Sequence, residues 1–213
     1  MKPKTTLILP VLFIGLLIAG CASTKNYKQA EDTSHSLEKT AQVINKSNAQ
    51  IGVVTRVLGS LVESPASDVK LQFKKFDSEL TKLDSLASDV YAQSTTIQAE
   101  GNKYFRSWDE ELATIKNEKI RSRSTERRKT MAGRFEEVRV SYETAKGEFS
   151  LFVFNLKDIR TALATDLTAE GLKSVNDVTV DSEDSARQLH KTLGRLEVDF
   201  KDLSASMSTA ARY

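Results

Sequence analysis

The only cysteine of the chain, Cys21, follows directly on Leu17-Ile18-Ala19-Gly20, and residue types and spacing spell out a covalent chemistry there. The run resembles a bacterial lipobox, the sequence at which a signal peptide is cut and the new N-terminal Cys carries lipid. Lys2 and Lys4 supply a small cationic region upstream, and Leu7 to Gly20 is a 14-residue apolar stretch interrupted only by Pro10 and Gly15. A transmembrane helix needs about 20 apolar residues, so the stretch fits a signal h-region better than a span. Cys21 is therefore the expected lipidation site, with residues 1–20 a lipoprotein signal peptide and residues 21–213 a single α-helical coiled-coil domain. One Cys leaves no partner for an intramolecular disulfide and no Cys-rich metal site. Ala22, rather than Asp, comes next, which favours the periplasmic face of the outer membrane over retention at the inner one.

Other reactive residue types are spread too thinly for catalysis. A di-iron bundle needs Glu-x-x-His on two helices plus two further Glu, all pointing inward. Asp32-x-x-His35 only approximates that and points outward, while His190 has Arg187 and Lys191 nearby and no adjacent acid. Both histidines are expected on solvated helix surface. There is no Gly-x-Ser-x-Gly and no phosphate loop, and Asp109-Glu110-Glu111 and Glu136-Glu137 are ordinary for a charged helix face. The expectation is a non-enzymatic protein without cofactor or metal. Of 31 Lys+Arg, Lys2 and Lys4 leave with residues 1–20, so 29 remain against 29 Asp+Glu. A mature chain of zero net charge argues against nucleic acid as a partner, since that binding needs excess cations to release counterions.

The charge that does exist is concentrated. Residues 116–129 hold Lys116, Lys119, Arg121, Arg123, Arg127, Arg128 and Lys129 against Glu118 and Glu126, a net of +5 over 14 residues. A cluster of this kind attracts anionic phospholipid headgroups, each cation near the surface contributing about 1 kcal/mol. Arg121, Arg123, Arg127 and Arg128 are the candidate membrane or partner contacts, the partner being anionic lipid or another envelope protein. The bland alternative is a solvated tip with pairing inside the helix.

These residues must be positioned by helices. Apolar or small residues step by four and three through Val69, Phe73, Phe76, Leu80, Leu83, Ala87, Val90, Ser94, Ile97, Gly101, Tyr104 and Trp108. The same stepping runs from Met131 to Leu163, from Tyr27 to Val62, and from Ala186 to Met207. A 3.5-residue repeat keeps one seam facing a partner helix. Ser64-Pro65 reads as an N-cap with Pro at the first helical position, separating a helix over about 24–62 from one over about 65–115. Lys116 to Ile120 carries the second reversal. Asp166-Leu167-Thr168 carries the third, with Thr168 as N-cap. Val178-Thr179-Val180 before Asp181 is a candidate break in the last helix, because β-branched residues weaken helices. The fold class is all-α, an elongated antiparallel bundle of about four long coiled-coil-like helices; the alternative is a three-helix core with one loose helix. Polar seam residues Ser34, Asn48, Thr55 and Ser94 would fix register at a cost in stability.

Short connections make neighbouring helices antiparallel, so the cationic tip shares an end with the N-terminus and Arg212. Mirroring about residue 118 sets Trp108 opposite Arg128 and suggests a cation–π contact. Tyr104, Phe105, Trp108 and Phe135 are a candidate aromatic plug for that end. Phe154 and Tyr91, just off the seams, are candidates for self-association or a second layer of helices.

From Tyr104 onward the chain resembles the bacterial lipoprotein family called domain of unknown function 2959. The resemblance lies in Tyr104-Phe105-x-x-Trp108, Arg121-x-Arg123-Ser124-x-x-Arg127, Ala145-Lys146-x-x-Phe149, Leu156-x-Asp158-Ile159-Arg160 and Asp166-Leu167-Thr168, roughly half of the mature chain. It implies a lipid-anchored coiled-coil protein and carries no activity. The expected role is a scaffold, spacer or interaction module of the cell envelope; the alternative is a bundle that senses or carries an apolar or anionic ligand between its helices.

Overall fold

The computed structural model describes residues 23–65 and 67–208. Cys21, the apolar stretch before it and Arg212 lie outside them. Five helices make up the regular structure of the described residues: α1 (Ser23–Glu63), α2 (Val69–Thr114), α3 (Glu118–Thr165), α4 (Ala169–Ser174) and α5 (Asn176–Met207). With 46 residues, α2 runs about 70 Å at 1.5 Å per residue. The described chain is thus the expected all-α antiparallel bundle.

Cross-helix bonds fix its order. The Gln50 amide donates to the Glu79 carbonyl at 3.0 Å and carboxylate at 2.8 Å, joining α1 to α2. Lys157 pairs with Asp84 at 2.7 Å and Arg160 with Asp77 at 2.7 Å, joining α3 to α2. The Tyr142 and Phe200 rings meet edge-on at 5.5 Å, joining α3 to α5. The Ser34 and Ser204 hydroxyls meet at 2.9 Å, closing the ring from α1 to α5. α1 and α3 therefore sit diagonally across the bundle.

The two sides of the ring are packed differently. α1 approaches α2 and α5 more closely than α3 does. Its buried columns hold small residues, Ala30, Thr33, Ser34, Thr40, Ala41 and Ser47, which let backbones come near. α3 instead presents Phe135, Tyr142, Phe149 and Phe152, whose bulk holds its axis away. Thr33, Thr40 and Ser47 donate their hydroxyls to carbonyls four residues back, so each is buried with its polar atom satisfied.

Several boundaries differ from the sequence expectation. The cap of α2 is Asp68, whose carboxylate accepts from the Leu71 amide, and Ser64-Pro65 belongs to the loop. The second reversal is only Ile115–Asn117, and the Asn117 side chain caps α3 through the Ile120 amide. That cap explains how a turn forms without Gly or Pro. Thr168 caps α4 through the Gly171 amide as expected. The last helix breaks at Val175 (φ −100°, ψ 0°), not at Val178–Asp181. The β-branched run stays helical because Thr179 is buried and donates its hydroxyl to the Val175 carbonyl at 2.9 Å. Tyr27, expected in the first seam, is 51% exposed.

Register places the α2–α3 turn at the same end as Ser23 and Met207. The Tyr142–Phe200 contact sets Met207 level with about residue 134 of α3. The α2–α3 hairpin therefore runs roughly 24 Å beyond the end of α5; the Gln50–Glu79 bond sets the start of α1 level with about residue 106 of α2, so the outermost part, roughly 12 Å, stands as a two-helix prong.

Candidate functional site

The prong begins at an aromatic cluster. Ring centroids lie 5.0 Å apart for Tyr104 and Phe105, 5.5 Å for Tyr104 and Trp108, and 5.6 Å for Phe105 and Phe135. The four side chains singled out from the sequence thus meet. Gly101 makes this fit: a Cβ there would overlap the Phe135 ring, with ring carbons at 2.7 and 2.8 Å. Burial pushes the Tyr104 phenol pKa up, against the opposing pull of the Arg127 cation.

The cation–π contact falls on a different ring. The Arg128 guanidinium lies 5.2 Å over Phe105 and donates to Asp109 at 2.7 Å. Trp108 instead faces Ser124, donating its indole N–H to the hydroxyl at 3.2 Å. The connecting loop centres on residue 116, and Trp108 and Ser124 mirror about it, whereas Asp109–Arg128 and Gly101–Phe135 mirror about 118.

The structure divides the cationic cluster in two. Arg121 pairs with Glu118 and donates to the Ile115 carbonyl at 3.4 Å, Arg128 is held by Asp109, and Lys129 pairs with Glu126 at 3.2 Å. Arg123, Arg127, Lys116 and Lys119 are exposed and form no salt bridge among the described residues. Lys119 adjoins Ile120, an apolar side chain left 57% exposed near the apex, and Arg123 and Arg127 follow it on the same face of α3 at three and seven residues. Four cations without an ion pair and one exposed aliphatic group near the turn form a surface that suits an anionic layer with an apolar interior. Sequence reasoning gave Arg121 and Arg128 the same weight as Arg123 and Arg127, counted Lys116 and Lys119 in the cluster without placing them among the contacts, and overlooked Ile120. Asn117 as a cap was the available signal, because it puts Lys116 in the loop and Lys119 and Ile120 in the first turn.

The remaining candidates resolve as structure. His35 is exposed, in a shallow groove with Asp32, Glu100 and Lys103. His190 is half-buried rather than solvated, its Nδ1 2.5 Å from the Asn48 side-chain oxygen across the α1–α5 seam. Of the polar seam residues, Ser34 reaches Ser204, Asn48 reaches His190 and Ser94 donates to Glu143 at 2.7 Å; Thr55 bonds only its own helix, at the Ile51 carbonyl. Glu143 is held below the usual carboxylate range by Lys146 first and Ser94 second. Among the described residues no three His, Cys, Asp or Glu gather to hold a metal ion. Against the Phe135, Tyr142 and Phe200 rings lies a cavity of about 20 Å³, room for a single water. No described helix is long and apolar enough to cross a membrane.

Neither curated proteins nor solved structures give a match to this chain. The model of one family, described as a protein of unknown function (DUF2959), matches residues 26–210, which takes in all but the first turn of the bundle. The chain belongs to that family.

Proposed function

We propose that this is a lipid-anchored, non-enzymatic envelope protein that stands on a membrane as a rigid rod and serves as scaffold or spacer. The observation that carries this reading is the coincidence of ends. α1 begins at the end where the α2–α3 turn presents Lys116, Lys119, Ile120, Arg123 and Arg127. An acyl group on Cys21 and a basic surface would then act together. One chain alone gives marginal attachment, and a second signal makes it stable. Four free cations at about 1 kcal/mol each amount to roughly a thousandfold in partitioning onto an anionic surface. The periplasmic face of the outer membrane is the proposed location, from Ala22. A ligand carrier would need room between the helices, and the aromatic packing at Gly101 and Phe135 favours a filled interior.

The test uses residues 22–213, which retain every described residue. Their partitioning is measured onto vesicles with and without anionic phospholipid. The expected result is a strong preference for anionic vesicles, weakened by salt and lost on replacing Lys116, Lys119, Arg123 and Arg127 with Gln. Equal binding to neutral vesicles, or binding that survives the fourfold replacement, overturns the proposal.

A further inference from the structure

α3 carries a second heptad seam, on the face turned away from the bundle. Gly133, Glu137, Val140, Thr144, Gly147, Leu151, Phe154, Asp158 and Thr161 step by four and three, and all are exposed. The five central positions, Val140 to Phe154, carry no charge in a chain that is 28% charged. Val140 is 51% exposed, Leu151 62% and Phe154 59%. Nothing lies within 4 Å of a Cβ built on Gly133 or Gly147, so another backbone has room to approach. Apolar residues on two opposite faces also explain why α3 is the least one-sided of the long helices.

We infer that this outer seam pairs α3 with α3 of a second copy, the two helices running antiparallel. A twofold contact must be self-complementary, and the charges beside the seam allow only one direction. In a parallel pair, Glu143 of each copy would face Glu148 of the other, a like-charge clash repeated twice. Antiparallel, Leu151 packs on Val140 of the second copy and Thr144 on its Gly147. Glu136 then faces Lys157, Glu143 faces Ser150, and Ser141 faces Glu148, with no like charges opposed. Glu136 already bonds Arg139, and Lys157 already bonds Asp84. The flanking charges therefore select direction rather than supply affinity. The apolar area on offer is about 300 Å² per copy, well under the 800 Å² per partner of a standard interface, so the dimer is weak. Antiparallel copies point their cationic tips in opposite directions. Copies standing on one membrane surface with the tip down run parallel and do not pair this way, so the pairing does not rest on the tip reading above.

The test is oxidative crosslinking of the full-length chain in detergent, with the wild type as the background from Cys21. The expected result is a twofold-mass adduct when Thr144→Cys and Gly147→Cys are combined, and little with either alone, because neither position faces itself. Adding Leu151→Asp is expected to slow the adduct about tenfold or more. Leu151 is exposed in the single chain, so an unchanged melting curve will show that the fold survives. Single variants that crosslink as fast as the double one, an adduct unaffected by Leu151→Asp, no adduct at all, or an adduct of another mass in whole cells each overturn the inference.

Discussion

Adding one methyl group at Gly101 should destabilise the protein, while the same change at Gly133 or Gly194 should stabilise it. All three glycines lie inside long helices, where alanine is favoured over glycine by about 1 kcal/mol. At Gly133 and Gly194 a Cβ meets nothing within 4 Å, so that gain arrives whole. At Gly101 the new atom would sit at 2.7 and 2.8 Å from Phe135 ring carbons. The ring cannot simply turn aside: Phe135 is 7% exposed and Phe105 holds its edge at 5.6 Å. The enclosed cavity on one side, about 20 Å³, is too small to receive it, and escape into the open groove on the other side, lined by Arg106 and Arg139, would expose the ring to water. Forcing a methyl into such packing costs about 1–3 kcal/mol. The net change at Gly101 is then a loss of about 1 kcal/mol, and the gap between Gly101→Ala and Gly133→Ala about 2 kcal/mol. Urea denaturation of the three variants reads the gap directly, because the midpoint shifts while the slope stays constant. Equal stabilisation by all three substitutions would refute the claim that Gly101 exists to admit Phe135.

Tyr142→Phe removes the hydroxyl that donates to the Val90 carbonyl and should cost about 1 kcal/mol near neutral pH. Burial, with Glu143 and Tyr91 adding to it, pushes the Tyr142 phenol pKa up, so the folded state holds the proton longer than the unfolded one. That contribution is complete below the unfolded value of about 10 and is lost as pH rises beyond it. Wild-type stability should therefore fall more steeply than that of Tyr142→Phe in alkaline denaturation curves. Thr168→Ala removes the cap at the Gly171 amide and should cost about 1 kcal/mol in thermal unfolding. Ser34→Ala and Ser204→Ala should not add: each hydroxyl also reaches the other residue's carbonyl, so a double-mutant cycle should return a coupling of at least about 0.5 kcal/mol.

Large apolar side chains at heptad spacing made the long helices legible. The α2 seam through Phe76, Leu80, Leu83, Ala87, Val90 and Ile97 is buried as its stepping predicted. The closely packed side of α1 was not legible, because Thr33, Thr40 and Ser47 count as polar in sequence. Only the fold shows that backbone carbonyls absorb their hydroxyls. The helix break at Val175 was displaced for a related reason: burial of Thr179 outweighs its weak helix propensity. In the candidate site, composition revealed the cationic cluster and the four aromatic residues. Which cations are free was a matter of pairing across the hairpin. The long Arg128 side chain reaches across the hairpin to lie over Phe105 and bond Asp109 rather than meet Trp108, which a mirror of backbone positions does not predict. Exposure of the outer seam residues Leu151 and Phe154 likewise follows from which face of α3 the bundle uses.

The proposed role depends on a lipid at the end of the rod that also bears the cationic prong. Mass spectrometry of the N-terminal peptide, taken from protein extracted out of native membranes, tests this most directly. The expected peptide begins at Cys21 and carries fatty-acyl mass; an unmodified Cys21, or a peptide that still begins at Met1, would overturn the proposed anchoring.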